Sequence, residues 1–258
     1  MKTEWDYTNL ADAYLKRPDY AQEAIDKMIS IAGVQKGDKV CDVGAGVAHL
    51  TLMLAAKGFD VTAVEPNDAM RVNGIKRTEK FSNVKWYEGV GEHTGQPDDA
   101  FKLVSFGSSF NVTDRQQSLQ EAQRILTEDG WFACMWNHRD LNDPIQKNIE
   151  DIIKKHIPEY SYGTRREDQT EVINASGRFQ EVQAFAGNVM HKVKAEDVVE
   201  AWKSHGTVER QAKDKFEAVI GDIEKYVYGL HKKEIEIPYT TRGWMAKVKK
   251  NGGGSSLC

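Results

Sequence analysis

Residues 40–54 read VCDVGAGVAHLTLML, and this stretch decides the fold. It starts as an apolar run of strand type, breaks at Gly44 and Gly46, and continues with helical spacing. A strand, a glycine turn and a helix in this order open a β-α unit, whose turn lies at the ligand-binding end of a parallel sheet. His49 occupies the position where a dinucleotide-binding loop has its third glycine, which counts against NAD(P). We otherwise interpret His49 as a helix residue without a required role.

The alternation of strands and helices continues on both sides of this stretch. A first helix is predicted over 19–32, where apolar positions recur at a spacing of three to four. Predicted strands cover 39–43, 60–64, 84–87, 101–106 and 130–137, and predicted helices cover 48–57, 67–75 and 114–126. Strands and helices that alternate at these lengths predict an α/β fold, with a parallel sheet covered on both faces.

The rhythm changes beyond residue 137. Residues 144–156 are of helix type, 160–170 are polar, 179–193 are of strand type, 195–230 are largely helical, and a last strand candidate covers 234–248 with Pro238 and Gly243 as interruptions. Because the long helical segment lies between two strand candidates, we expect a cap or lid over one end of the sheet. An ordinary pair of packing helices is the alternative.

Charge and composition narrow the classes of function. The 35 Lys and Arg nearly balance the 39 Asp and Glu, and a formal charge of -4 leaves no basic field for a nucleic-acid backbone. No apolar run approaches the roughly 18 to 20 residues of a membrane span, and the start MKTEWDYTNL lacks the apolar core of a signal peptide. Cys41 and Cys134 lie in apolar, strand-like runs, which suits buried thiols in a reducing compartment. We expect a soluble cytoplasmic protein without nucleic-acid or membrane partners, whose oligomeric state is unknown.

Two acids frame the glycine turn. Asp42 stands two residues before Gly44, where a carboxylate would repel a pyrophosphate but would attract a sulfonium or ammonium group. Glu65 ends the next predicted strand, where a carboxylate can accept the protons of both ribose hydroxyls. Taken singly, Asp42 can be a turn or capping carboxylate and Glu65 a solvated strand end. Together they favour an adenosyl ligand that carries positive charge, such as S-adenosylmethionine.

Residues 40–70, VCDVGAGVAHLTLMLAAKGFDVTAVEPNDAM, resemble the first two motifs of the class I S-adenosylmethionine-dependent methyltransferases. The resemblance runs from about Tyr7 to Asn137 and continues more weakly beyond. The nearest subgroup is that of the small-molecule enzymes similar to trans-aconitate methyltransferase, whose N-terminal pattern the lead-in segment YTNLADAYLKRPDY (residues 7–20) resembles. The resemblance implies a Rossmann-like sandwich with a seven-stranded, mostly parallel sheet, N-terminal cover helices and a helical cap inserted before the last strand.

The expected division of the chain follows from the pattern and the resemblance together. We expect N-terminal cover helices over 1–32, a cofactor-binding core over 33–193, a helical cap over 194–231, the final strand over 232–250 and a flexible tail over 251–258.

The resemblance also implies which residues bind the cofactor. Asp42, Gly44, Ala45 and Gly46 are expected to line the methionine part, Glu65 to bind the ribose, and Asn67 and Met70 to flank the adenine. Gly107 and Ser108, which follow the fourth predicted strand, are expected to offer backbone groups to the methionine amino group. Pro66, Gly91 and Glu92 are further cofactor-binding candidates. Two positions depart from the family pattern. Val90 stands where the family often has an acid and cannot accept the adenine amino proton through its side chain. Ala48 replaces a frequent glycine, and we expect the loop to keep its normal shape, slightly tightened.

The loops after the fourth and fifth predicted strands are expected to carry the acceptor side. Methyl transfer needs a nucleophile that is aligned, close to the methyl group and stripped of water, and a base is optional. Asn111 is the candidate positioning residue, unless it is a loop asparagine in a local turn. His138 is the candidate general base, because a histidine titrates near neutral pH. The alternative for His138 is a hydrogen-bonded structural residue.

The remaining candidate substrate residues are Tyr14, Arg17, Trp136 and Arg139. Arg139, with Arg165 and Arg166, can bind a carboxylate or phosphate through forked donors, whereas the alternative is a set of solvated charges. Tyr14 and Arg17 can close over the site, as the N-terminal helices of the resembled enzymes do, or can simply pack.

The predicted function is methyl transfer from S-adenosylmethionine to a small organic molecule at oxygen, nitrogen or carbon, with S-adenosylhomocysteine as product. Proximity and desolvation, with at most a weak base, are expected to drive it. No Cys/His cluster has metal-ligand spacing, so we expect no metal. Trp202, Ser204, His205 and residues 239–242 are expected to pack in the core or cap. The alternatives are a non-catalytic S-adenosylmethionine-binding or regulatory protein and, less favoured, an NAD(P)-dependent oxidoreductase.

Overall fold

A computed structural model of the chain describes residues 8–203 and 205–250. Tyr7, Ser204 and the tail 251–258, about which expectations were stated above, lie outside the described residues. The strands are β1 Lys39–Val43, β2 Asp60–Val64, β3 Val84–Tyr87, β4 Phe101–Gly107, β5 Leu126–Arg139, β6 Phe179–Lys194 and β7 Glu234–Val248. They form one sheet in the order β3-β2-β1-β4-β5-β7-β6, in which β7 is antiparallel to both of its neighbours. The predicted seven-stranded, mostly parallel sheet is confirmed.

Helices cover both faces of this sheet. They are α1 Ala11–Tyr14, α2 Gln22–Ala32, α3 His49–Ala56, α4 Asp68–Thr78, α5 Arg115–Ile125, α6 Pro144–His156, α7 Thr170–Ala175, α8 Ala195–Lys203, α9 Gly206–Ala212 and α10 Phe216–Gly229. Along β5, Phe132 and Cys134 belong to the core on one face, whereas Ala133 and Met135 belong to the core on the other. A strand buried on both faces reads as a continuous apolar run, which explains the sequence WFACMW.

The order of the strands places a cleft at the ends of β1 and β4. The chain leaves β1 through α3 toward β2 on one side, whereas β4 pairs with β1 on the other side. Loops diverge at such a switch in strand order, and ligands of open α/β sheets bind there. The glycine turn after β1 and the loop after β4 therefore share one cleft.

The strand β7 runs without a break, so the expected interruptions at Pro238 and Gly243 are wrong. Pro238 pairs with Met190 of β6, but β5 ends opposite Tyr239, so no β5 residue pairs with the proline. At Gly243 a Cβ would lie 2.3 Å from Cζ of Phe185, so the glycine makes room for that ring.

The helices α8 to α10, which we call the cap, lie between β6 and β7 in the chain and pack on the projecting ends of both strands. Their apolar cluster includes Trp202 and Ile223 from the cap, Ile237 from β7, and also Ile149 and Ile153 from α6. The sequence division assigned α6 to the core, but its apolar side chains pack with the cap. The division of the chain into core and cap remains our interpretation.

Candidate functional site

A cavity of about 1220 Å³ opens at the carboxyl ends of β1, β2, β4 and β5, beneath α1 and the cap. Every candidate cofactor, acceptor and catalytic residue proposed from the sequence lines it: Tyr14, Arg17, Asp42, Gly44, Ala45, Gly46, Glu65, Pro66, Asn67, Met70, Gly91, Glu92, Gly107, Ser108, Asn111, Trp136, His138, Arg139, Arg165 and Arg166. The cavity exceeds the ~300–1,000 Å³ of common ligand pockets, so it has room for two small ligands side by side.

The glycine loop after β1 has a left-handed backbone at alternate residues. Gly44 and Gly46 have φ of 70° and 55°, and Ala48 has φ of 75°. A Cβ at Gly44 would lie 2.3 Å from Cβ of Ser109, whereas a Cβ at Gly46 would meet no atom within 4 Å and would project into open space. Ala48 adopts a left-handed conformation that costs roughly 1 kcal/mol or more for a residue other than glycine. The expectation of a normal, slightly tightened loop stays a prediction.

Asp42 is the end-of-strand acid and is buried, with only 1 % of its surface exposed. Its Oδ2 accepts a hydrogen bond of 2.7 Å from Oγ1 of Thr51, in the first turn of α3, but its buried Oδ1 has no hydrogen-bond partner. Burial, with a smaller effect from Glu65 nearby, raises the pKa of Asp42 to about 7. A cationic ligand that reached Oδ1 would lower this pKa and hold the carboxyl group ionised. The buried carboxyl therefore favours a ligand with positive charge.

Glu65 joins the end of β2 to the glycine loop. Its Oε2 accepts from the backbone N–H of Gly46 at 2.8 Å, and its Oε1 accepts from that of Asn67 at 2.9 Å. Burial raises the pKa of this carboxyl, and the two backbone bonds oppose that effect. Each oxygen keeps a second lone pair, so ribose hydroxyls can still donate to it. The sequence did not indicate this structural role.

The residues expected around adenine have structural duties as well. Oδ1 of Asn67 accepts from the backbone N–H of Met70 at 3.0 Å and caps α4, and Met70 packs with Ala11 and Val47. Glu92 accepts from the backbone N–H of Asp114 at 2.6 Å. These contacts fix the wall of the cavity where the adenine was expected.

Val90 and Gly91 complete that wall. Val90 lines the cavity and pairs with His93 in a short backbone bridge. At Gly91 a Cβ would lie 2.8 Å from Oγ of Ser118, so this glycine serves close packing.

Tyr20 is a cavity residue that the sequence analysis did not single out. Its hydroxyl lies 2.9 Å from Oγ of Ser108, which has a left-handed φ of 60°, and a Cβ at Gly107 would lie 2.9 Å from the same hydroxyl. Burial raises the pKa of Tyr20, so the hydroxyl is neutral at physiological pH. Its position as the last residue of the tyrosine-rich lead-in segment was the available signal.

His49 contacts the lead-in segment, which the sequence interpretation of a helix residue without a required role did not anticipate. Its Nδ1 lies 2.7 Å from Oδ1 of Asp19, and its Nε2 lies 2.9 Å from the backbone oxygen of Tyr14. Both contacts connect the start of α3 with the segment that covers the cavity. A histidine in the third-glycine position thus binds the segment that covers the cavity.

Asn111 and Trp136 are brought together on the acceptor side. Nε1 of Trp136 donates to Oδ1 of Asn111 at 2.7 Å, and Trp136 is buried with 2 % of its surface exposed. The amide oxygen of Asn111 is therefore engaged by the indole, which leaves its NH₂ group as the donor available to a substrate.

His138 lines the cavity with a buried Nε2 that has no hydrogen-bond partner. Burial, followed by the positive charges of Arg166, Arg165 and Arg242, lowers the pKa of His138 to about 4. The ring is neutral at pH 7 but accepts a proton only weakly. As a general base it stays a prediction.

Aromatic rings hold three of the arginines. The guanidinium carbon of Arg139 lies 4.2 Å from the ring centre of Trp202, and that of Arg166 lies 3.9 Å from the ring centre of Tyr162. The guanidinium carbon of Arg17 lies 3.5 Å from the ring centre of Tyr14. Such stacking keeps the planar groups in place without neutralising them.

The cap contributes Trp202 and His205, which are both buried, as expected of packing residues. Their rings stack with centres 4.9 Å apart, and Nδ1 of His205 accepts from the backbone N–H of Val208. His205 also lines the cavity.

No group of three or more His, Cys, Asp or Glu side chains in the described part of the chain could hold a metal ion. Within the same residues, no helix is long and apolar enough to cross a bilayer. The metal-independent reaction and the cytoplasmic location remain predictions.

Comparison with known proteins adds independent findings. Residues 41–134 match the family model described as a methyltransferase domain. An uncharacterized methyltransferase of Schizosaccharomyces pombe is 27% identical over 149 residues, which cover 57% of this chain and 58% of the relative. The ubiquinone/menaquinone biosynthesis C-methyltransferase UbiE of Caulobacter vibrioides is 28% identical over 171 residues, covering 60% of this chain and 67% of the relative. The match thus spans little more than half of the yeast relative's length.

Solved structures share the fold at low sequence identity. The YcgJ protein of Bacillus subtilis aligns with a TM-score of 0.55 at 15% identity, covering 88% of this chain and 99% of its own. A phosphoethanolamine N-methyltransferase of Haemonchus contortus, solved with S-adenosylhomocysteine, aligns with a TM-score of 0.54 at 11% identity, covering 93% of this chain and 57% of its own. The trans-aconitate subgroup remains a prediction. Residues 41–134 therefore match a methyltransferase domain, and the strand order and the solved structures show the Rossmann-like fold of class I methyltransferases.

Proposed function

We propose that the protein transfers a methyl group from S-adenosylmethionine to a small organic molecule. The observation that carries this proposal is the buried Oδ1 of Asp42, which lacks a partner in a cavity that the glycine loop also lines. A buried carboxylate oxygen without a donor costs free energy, which a cationic ligand would recover. Gly46 lines the same cavity, and a Cβ at this position would project into open space.

The residues present fit this cofactor. When bound, S-adenosylmethionine supplies a methyl group on a positively charged sulfur. Asp42 would attract the positive charge of the methionine part, and Glu65 would accept hydrogen bonds from the ribose hydroxyls. Ser108, whose Oγ contacts the hydroxyl of Tyr20, would present its backbone groups to the methionine part of the cofactor.

Catalysis by this chain would consist of positioning and exclusion of water. Trp136 is buried and hydrogen-bonded to Asn111, so the acceptor would meet a rigid apolar wall with one amide donor. His138 is neutral with a pKa of about 4, so it would assist an acceptor only as a weak base. Strong positioning combined with a weak base suits a nucleophile that does not require deprotonation by the enzyme.

The acceptor is proposed to be a small molecule, although whether its reactive atom is O, N or C is open. The relative UbiE is named for methylation in quinone biosynthesis, which supports a small organic acceptor. The near-balanced charge of the chain disfavours nucleic acid.

Ligand-induced stabilisation tests the cofactor assignment. The melting temperature should rise with S-adenosylmethionine or S-adenosylhomocysteine and not with NAD(P), because selective binding stabilises the folded state. Asp42→Asn should abolish most of the rise. The exposed Asp151→Asn on α6, which makes the same chemical change, should preserve it. A rise with NAD(P) alone would refute the proposal.

A non-catalytic S-adenosylmethionine-binding protein is the second candidate. It predicts cofactor binding without turnover. Transfer of a labelled methyl group to any member of a small-molecule library, seen as a product heavier by one methyl, rejects that candidate.

A further inference from the structure

Four arginines from three parts of the chain line one end of the cavity. Arg17 follows α1, Arg139 ends β5, and Arg165 and Arg166 lie in the turn Gly163–Arg166. We call them the arginine cluster. Among the residues that the structure describes, none of the four forms an ion pair with a carboxylate, unlike neighbouring Lys16, which pairs with Asp197 of α8 at 2.5 Å.

Two donors of the arginine cluster are buried and unused. Nε of Arg139 and Nε of Arg166 have no hydrogen-bond partner. Leaving a charged donor buried without an acceptor is costly, and solvated surface arginines do not show this feature. Arg139 stacks on Trp202 and Arg166 on Tyr162, which fixes the planes of the two guanidinium groups without an acceptor for either Nε. Nη2 of Arg166 donates to the backbone oxygen of Arg139 at 3.3 Å.

The members of the arginine cluster repel one another, and the carboxylates of the cap that line the same cavity, Asp197 and Glu209, form no ion pair with them among the described residues. Burial lowers the pKa of Arg165, and repulsion from Arg17, Arg139 and Arg166 lowers it further. Burial and then the charges of Arg165, Arg139 and Arg17 also lower the pKa of His205, which is therefore neutral. The positive charges of the arginine cluster thus lower the pKa of both Arg165 and His205, which lie in different elements.

We propose that the methyl acceptor carries an oxyanion, a carboxylate or a phosphate, and that Arg17, Arg139, Arg165 and Arg166 bind it. This inference rests on the proposed function and narrows its substrate class. Guanidinium groups match the planar, bidentate geometry of carboxylates and phosphates, and the unused Nε donors supply the hydrogen bonds. The acceptor would be held at one end of the cavity and the cofactor at the other.

The binding test uses the protein saturated with S-adenosylhomocysteine. Citrate and inorganic phosphate are titrated separately against sodium chloride at equal ionic strength, and the change in melting temperature gives their apparent affinities. The difference between citrate and phosphate identifies which oxyanion the site prefers. Arg139→Gln and Arg165→Gln should each weaken the preferred anion by about tenfold or more. Arg165→Lys should give an intermediate loss, because the charge remains but the fork is removed.

Lys192→Gln is the matched control, since it removes one positive charge from an exposed residue of β6 that pairs with Glu236. It should leave anion affinity unchanged. The rise caused by S-adenosylhomocysteine itself shows that each arginine variant is folded. An equal effect of chloride, or full anion affinity in both glutamine variants, overturns the proposal. An arginine-dependent citrate effect without any effect of S-adenosylhomocysteine overturns the proposed function instead.

The turnover test addresses the acceptor directly. A small-molecule library is incubated with labelled S-adenosylmethionine, and the accepted compounds are sorted by charge. We expect them to carry a carboxylate or phosphate and to lose at least about tenfold in kcat/KM with Arg165→Gln, mainly through KM. An uncharged acceptor that the wild type and both glutamine variants methylate equally well overturns the proposal.

Discussion

Replacing Asp42 by asparagine should raise the stability of the unliganded protein at pH 8 while it weakens cofactor binding. The pKa of this buried carboxyl is raised from 3.8 to about 7. An acid whose folded-state pKa is raised contributes stability that is fully present below pH ~4 and is lost as the pH rises through about 7. The wild type should therefore lose stability over this interval, whereas an amide at position 42 does not titrate.

The magnitude follows from the shift. A rise of about three pKa units corresponds to about 4 kcal/mol, and no discount for solvent applies to a group with 1 % exposure. The amide can still accept from Thr51, but its buried NH₂ group lacks a partner and costs about 1–3 kcal/mol. We expect Asp42→Asn to be less stable than the wild type at pH 4.5 and more stable by roughly 1–3 kcal/mol at pH 8.

Urea unfolding of both proteins at pH 4.5, 6 and 8 gives the difference in the free energy of unfolding at each pH, in which other titrating groups cancel. Calorimetric titration at pH 8 should show a loss of about ten- to a hundredfold in affinity for S-adenosylmethionine. If the two stability profiles run parallel from pH 4.5 to 8, Asp42 is ionised at low pH and the reasoning about its buried oxygen is refuted.

Three further substitutions have defined outcomes. Ala48→Gly should stabilise the protein by about 1 kcal/mol in urea unfolding, because glycine tolerates a φ of 75°; an unchanged midpoint would contradict strain there. His49→Leu should speed the hydrogen exchange of backbone amides in α1 and lower the affinity for the cofactor severalfold, because it removes both contacts to the lead-in segment. Unchanged exchange would show that other contacts hold this segment. Trp136→Phe should lower kcat while cofactor affinity stays the same, because it removes the hydrogen bond to Asn111; a change in cofactor affinity alone would contradict this.

The fold could be predicted because its signals are local. A strand buried on both faces, a glycine turn and a helix stop each have a signature within a few residues. β1 and β2 have the predicted limits, α3 lies within one residue of them, and α4 ends three residues later than predicted. The cofactor candidates followed, since the ends of parallel strands meet at one edge. Asp42, Gly46 and Glu65 therefore line one cavity.

The unpredicted features depend on contacts between distant segments. The hydrogen bond of Tyr20 to Ser108 joins residues 88 positions apart, and no spacing rule indicates it. The packing of α6 with the cap likewise depends on where α10 lies. The stacking of Arg139 on Trp202 could be recognised only after the cap was in place. Charge in the sequence identified the arginines, but only burial showed that their donors are unused.

The contacts of Glu65 affect how any substitution at that position must be interpreted. Because the same carboxylate shapes the loop through Gly46 and faces the expected ribose, removing it alters recognition and architecture at once. A weakened Kd in Glu65→Ala would therefore overstate the strength of the ribose contact. Comparing adenosine-type ligands with and without the 2′-hydroxyl in the unaltered protein isolates that contact, because the loop is then held constant.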